Sequence, residues 1–167
     1  MTFVVPFDGS ELAETALVRA SEFADVLDER VLAVTVVPRR NKQYAREHGW
    51  LGPEEPFDVK SIISSLHERV VDLVPEADFR HITVDKYAPT GTISTQISKA
   101  ARQEDASMVF LGSENAGRIV TSVTSVGGNI SSRGGYDIVI IRNRAPSKIE
   151  RLQDAGDPDA KSDFFVT

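Results

Sequence analysis

Apolar residues along this chain follow two alternating patterns: short, nearly unbroken runs, and longer stretches where they recur every three or four positions. Phe3-Val4-Val5 is a run of the first kind; it ends at Pro6 and is followed by Asp8-Gly9-Ser10. That order predicts a buried strand, a tight turn and a serine N-cap. Leu12, Ala16, Ala20, Phe23, Ala24 and Leu27 then share one face of a helix. Val31 to Val37 is a near-continuous, β-branched run, as in a strand covered on both faces. Val59, Ile62, Ile63, Leu66, Val70 and Leu73 mark a second long helix with Asp58 as its cap, and Ile82 and Val84 a weaker, peripheral strand. Thr90 to Glu104 is helical in pattern, Met108 to Leu111 is a fourth strand stopping at Gly112, and Asp137 to Ile141 is a fifth. Strands alternating with helices imply βαβ units, hence an α/β domain with a parallel sheet and helices on both faces.

Two segments depart from this alternation. Pro38 to Phe57 is a polar insert with Pro53, Pro56 and the only tryptophan, Trp50; a loop with one helical turn near Lys42 to Glu47 is expected. From Arg144 the chain is a polar tail with an apolar Phe164-Phe165-Val166, so the expected division is a domain over 1–143 and a tail over 144–167. At 167 residues, 41% hydrophobic and 26% charged, the chain suits one domain plus that tail. No stretch approaches the roughly 20 apolar residues of a membrane span, and the opening segment lacks the pattern of a secretion signal. The expectation is a soluble cytoplasmic domain with no membrane association. There is no cysteine, and so no disulfide framework or thiolate metal site. Net charge is −6 without a basic face, which disfavours nucleic acid as a partner. Arginine outnumbers lysine 13 to 6 amid excess acid. That balance fits a high-salt cytoplasm or an ordinary acidic bacterial or archaeal protein.

Candidates for catalysis are few. His48 lies in the insert, His67 on the second long helix and His81 on the third strand, and no G-x-S-x-G elbow or H-E-x-x-H occurs. Asp8 is the one acid at a strand's C-terminal end, where open α/β sheets hold ligands; local turn chemistry beside Gly9-Ser10 explains it equally. Gly112 and Gly117 have the glycine spacing of a P-loop, but Arg118-Ile119 follows. The lysine and the metal-binding hydroxyl that such a loop needs are missing, which excludes a P-loop NTPase. Four glycines, Gly112, Gly117, Gly127 and Gly128, still follow a buried strand closely. They suit either a backbone cradle for an anion, with a short helix over Asn129 to Arg133, or a flexible surface loop.

Taken together, these pieces resemble the universal stress protein family, in particular its haloarchaeal branch, over roughly Thr2 to Asn143. The resemblance rests on Val5-Pro6-Phe7-Asp8-Gly9-Ser10-Glu11-Leu12-Ala13, on Leu32 to Pro38 as second strand, and on the glycine loop after Phe110-Leu111. It implies one open five-stranded parallel sheet in order 3-2-1-4-5, of the adenine-nucleotide alpha-hydrolase-like type, and a homodimer through the fifth strand. It also implies a regulatory stress-response protein, not an enzyme, that binds ATP or another adenine nucleotide, with Mg²⁺ accompanying the phosphates. Carried over, Asp8 and the backbone of Val36, beside Pro6, would meet adenine and ribose. Gly112 and Ser113 would lie near the ribose and first phosphate. Gly117, Gly127 and Gly128 would line the phosphates, with Asn115, Arg118 and Asn129 around them. The family motif G-x2-G-x9-G-[ST] is altered: the first spacing is four, and Gly128 replaces the hydroxyl. One charge-assisted hydrogen bond is thereby lost, worth about 1.5–3 kcal/mol. Asn115 or Asn129 could supply a substitute donor. Two other readings stay open: an interaction module of the same fold with an empty site, and a nucleotidyl transferase. The last needs a lysine or histidine by the phosphates, where the loop offers only Arg118.

Overall fold

A computed structural model describes residues 1–89, 91–114 and 135–143. The elements are β1 (Thr2–Pro6), α1 (Glu11–Leu27), β2 (Arg30–Pro38), α2 (Lys42–Glu47), α3 (Val59–Leu73), β3 (Asp78–Val84), α4 (Gly91–Gln103), β4 (Ala106–Gly112) and β5 (Asp137–Ile141). Each helix start has a local cause. Ser10 Oγ accepts the Ala13 N–H at 3.2 Å to open α1, and Asp58 accepts from Lys60 and Ser61 to open α3. Leucine and alanine then carry α1 to Asp28, which takes the left-handed conformation (φ 54) and returns its N–H to Ala24.

The five strands form one parallel sheet, order β3-β2-β1-β4-β5, as the resemblance implies. β1 and β2 are central and buried on both faces, which is why they read as unbroken apolar runs. β3 and β5 are the edges, and their half-exposed residues explain the weaker signal of Ile82 and Val84. On one face α1 and α3 pack over Phe3, Val5, Ala33, Val37 and Phe110. On the other, α4 covers Val4, Leu32, Val34, Val36, Val109 and Leu111. The register between β1 and β4 slips by one residue: Thr2 pairs with Ala106 but Phe3 with Met108.

The insert is the expected loop with one helical turn, and it is also docked on the domain. The helical turn Lys42–Glu47 is present, but Ala45 is fully buried and Trp50, Leu51 and Phe57 pack against the α1/α3 core. A few apolar residues spaced among charges suffice to dock it, since burial depends on where each side chain lands and not on average polarity. The short helix expected over 129–133 and the tail over 144–167 lie outside the described residues.

Candidate functional site

Strand order determines where a ligand would sit. β1 connects onward to β2 on one side, while β4 lies on its other side, so the strand order reverses between β1 and β4. In open parallel sheets the crevice outside the strand ends at such a point is the ligand site. On the β1 side the chain beyond Pro6 is tightly wired. The Phe7 N–H donates to Val34 O at 2.8 Å, and Phe7 O accepts the buried Thr35 hydroxyl at 2.7 Å. Asp8, half-buried, accepts the Ser10 N–H on Oδ1 at 3.0 Å, which closes an Asx turn. Both sequence readings of Asp8 therefore coexist: it is a turn former, and it stands at the strand's C-terminal end.

Gly9 between them has φ +80, and an added Cβ would come within 2.7 Å of the Arg69 guanidinium. Only glycine suits that corner. Arg69 is in turn ion-paired with Glu14 across α1 and α3. Glu11 and Glu14 occupy the first turn of α1, where they complement the helix dipole and disfavour a second anion at that end.

Of the other expected site residues, Pro6 is the last residue of β1 and pairs with Val34. β2 continues past that point to Pro38, paired only with β3. Backbone groups of a strand alternate in direction, and Val34 turns its carbonyl toward β1. Val36 is in phase with it and so directs its backbone groups to the side where β1 has ended. Its side chain is buried beneath α4. Gly112 closes β4 and is buried; a Cβ there would lie 2.8 Å from Leu12 Cβ and 3.3 Å from the Leu12 carbonyl carbon. The start of α1 is thus pressed onto the end of β4, which brings the turn after Asp8 against Gly112. Ser113 follows, half-exposed. Asn115, Gly117, Arg118, Gly127, Gly128 and Asn129 lie outside the described residues.

The histidines do not converge. His67 stacks on Phe79 with centroids 4.6 Å apart, and His48 stacks on Tyr44 at 3.9 Å. His81 is exposed on β3. Among the described residues no group of three or more His, Asp or Glu could hold a metal ion. One residue was noted in sequence only for its rarity: the Trp50 indole N–H donates to the Asp8 backbone carbonyl at 2.8 Å. A lone tryptophan in a polar insert was the available signal.

A doubly wound parallel sheet with its switch point between the first and fourth strands defines the class as an open α/β fold. The universal stress protein family profile matches residues 1–142, and the chain belongs to that family. Two solved structures share the fold, and a third is similar at a lower score. The hypothetical protein MJ0577, whose biochemical function was assigned from its structure, superposes with a TM-score of 0.55 at 15% identity, covering 87% of this chain and 97% of that one. A universal stress protein from Archaeoglobus fulgidus gives 0.50 at 18%, covering 85% and 93%. A universal stress protein in complex with cAMP gives 0.48 at 19%, covering 85% and 97%. No curated protein matches the chain. Among the described residues no helix is long and apolar enough to cross a membrane.

Proposed function

We propose that the chain binds an adenine nucleotide, ATP or a relative, as a regulatory ligand in a stress response and does not turn it over. One observation carries the reading: the switch-point crevice has Asp8 and the outward backbone of Val36 on one side and Gly112 on the other, in a chain that belongs to the universal stress protein family. The acidic first turn of α1 suits the sugar end of a ligand near Asp8 and leaves phosphates to the glycine loop after β4. The adenosine end of the family pattern is intact, while the distal end has lost its hydroxyl at Gly128 and gained two residues before Gly117. Binding energy therefore concentrates on adenosine and the first phosphate. Mg²⁺ would travel with the phosphates; no described residue is assigned to it.

Mass spectrometry of small molecules released on denaturation tests occupancy, and calorimetry with AMP, ADP and ATP tests which part is read. The three should differ by less than about tenfold, roughly 1.4 kcal/mol, and Gly128→Ser should strengthen ATP selectively. ATP binding a hundredfold tighter than AMP would overturn the emphasis on adenosine. Steady phosphate or pyrophosphate release would overturn the non-enzymatic reading. A second reading, a protein-interaction module with an empty site, is favoured by the packing of Gly112 on Leu12, which explains that glycine without a ligand. Absence of any nucleotide affinity would select it.

The protein acts in the cytoplasm as a homodimer through β5, with residues 144–167 as a C-terminal tail. Ile140 is 38% exposed on an edge strand, and exposed apolar edges invite pairing. Ile140→Lys should yield monomers in sedimentation; unchanged dimers would move the interface elsewhere.

A further inference from the structure

The carbonyl of Asp8 falls between two hydrogen-bond ladders. The sheet ladder has used Phe7, and the ladder of α1 begins with the Ser10 carbonyl, which accepts the Glu14 N–H at 2.9 Å. A half-buried carbonyl in such a gap needs a donor from elsewhere. The donor is Trp50, 42 residues away in sequence. Its indole is itself fixed. The Trp50 main-chain N–H donates to Ala45 O at 2.8 Å, and the ring centroid lies 5.5 Å from that of Tyr44 and 5.1 Å from that of His48. The base of the insert is tied down as well: Asn41 Nδ2 donates to Lys86 O at 3.0 Å, and the Arg39 N–H to Val84 O at 2.8 Å. The insert therefore bridges the C-terminal ends of β1, β2 and β3.

We infer that Trp50 is a positioning residue for Asp8. The Asp8 carbonyl belongs to the peptide unit that leads into Gly9, and glycine resists rotation of that unit less than any other residue. Neither the sheet ladder nor the α1 ladder takes up this carbonyl; the indole N–H does, and it restrains the plane of the peptide. Through that plane it bears on how the Asp8 carboxylate meets the Ser10 amide, which follows one residue later in the same turn. The functional half of this inference rests on the nucleotide reading above; the geometric half does not.

The chain's single tryptophan gives one indole N–H signal in ¹⁵N-labelled full-length protein, so the bond can be read without mutation. Slow solvent exchange of that proton is expected, and fast exchange would overturn the inference. Trp50→Phe keeps a ring and removes the donor. Exchange of the Ser10 amide should quicken by about five- to tenfold, and adenosine affinity should fall by about the same factor, the effect of one net hydrogen bond. A merely structural role would lower the melting temperature yet leave Ser10 exchange unchanged in the folded protein, and that result overturns the proposal. So does unchanged adenosine affinity in Trp50→Phe when the wild type binds. Faster Ser10 exchange in a protein whose wild type binds no nucleotide supports the positioning role and removes the nucleotide reading instead. Should Trp50→Phe fail to fold, Tyr44→Leu, which keeps the donor and removes a ring packed against it, should quicken indole exchange; no change there counts against the proposal.

Discussion

On the β1 side of the crevice, position is set by directed polar contacts; on the β4 side it is set by lack of room. Phe7, Asp8 and Ser10 are held by the hydroxyl of Thr35, the indole of Trp50 and the N-cap of α1. Gly112 is held because the first turn of α1 lies where its side chain would be. Directed contacts fix orientation but each is worth only about 1 kcal/mol net. Close packing fixes distance and tolerates almost no added volume. A site needing both an oriented carboxylate and a closely approached backbone has a use for each.

The largest break in this comparison comes from Gly112→Ala. Its methyl would meet Leu12 at the stiff root of the side chain, and about 2–3 kcal/mol of stability should be lost in urea unfolding. Leu12→Ala in the same chain should give no rescue, because alanine keeps the atom that clashes. A loss below about 0.5 kcal/mol would mean that α1 slides freely over β4, and the contrast would fail.

Thr35→Val attacks the polar side at its most buried bond. Thr35 is 1% exposed and its hydroxyl is 2.7 Å from Phe7 O, so the variant leaves a carbonyl without that donor at nearly constant volume. A loss of about 1–2 kcal/mol is expected by the same measurement. Ser10→Ala removes the cap of α1 and should cost about 1 kcal/mol, with early exchange of the Ala13 amide.

The smallest effect is expected at Asp58, an exposed cap remote from the crevice. The Ser61 hydroxyl, then the Ser61 and Lys60 amides, hold its carboxyl below the usual carboxylate value. A depressed folded value means that the charged form stabilises α3. That contribution is complete above the unfolded value, near pH 4, and is lost as pH falls through the lower folded value. Asp58→Asn should flatten the acid limb of the stability curve: the small loss falls at neutral pH, where the charged form contributes, and stability below the folded value is almost untouched. An unchanged acid limb would remove Asp58 from the account.

What could be read from sequence follows the same division. The five strands and the long helices were legible because continuous apolar runs and three-four spacing report burial directly, and Ser10 and Asp58 stand at their caps as polar residues ahead of apolar faces. Asp8 and Gly112 were found as the ends of strands. The packing reason for Gly112 was not legible, since a glycine beside a backbone and a glycine beside a ligand are spelled alike. Nor was Trp50: its partner is a main-chain carbonyl 42 residues away, and no local pattern encodes that. Thr35 looked like one more β-branched residue in an apolar strand, and only the turn beyond β1 gives its hydroxyl a purpose.

The slipped register between β1 and β4 has a consequence in parity. Before it, even-numbered Ala106 shares the α4 side with Leu32 and Val34. After it, even-numbered Met108 and Phe110 belong to the α1 side, and odd-numbered Val109 and Leu111 have moved under α4. Ser107 is the extra residue, with a buried hydroxyl that has no partner among the described residues. Because side chains alternate strictly, one inserted residue exchanges the faces of everything downstream. In a β4 kept in step from Ala106, the ring of Phe110 would point at α4, and position 112 would turn its open side away from Leu12. Ser107 acts as a one-residue toggle, and the direction in which the chain leaves β4 for the glycine loop is its output.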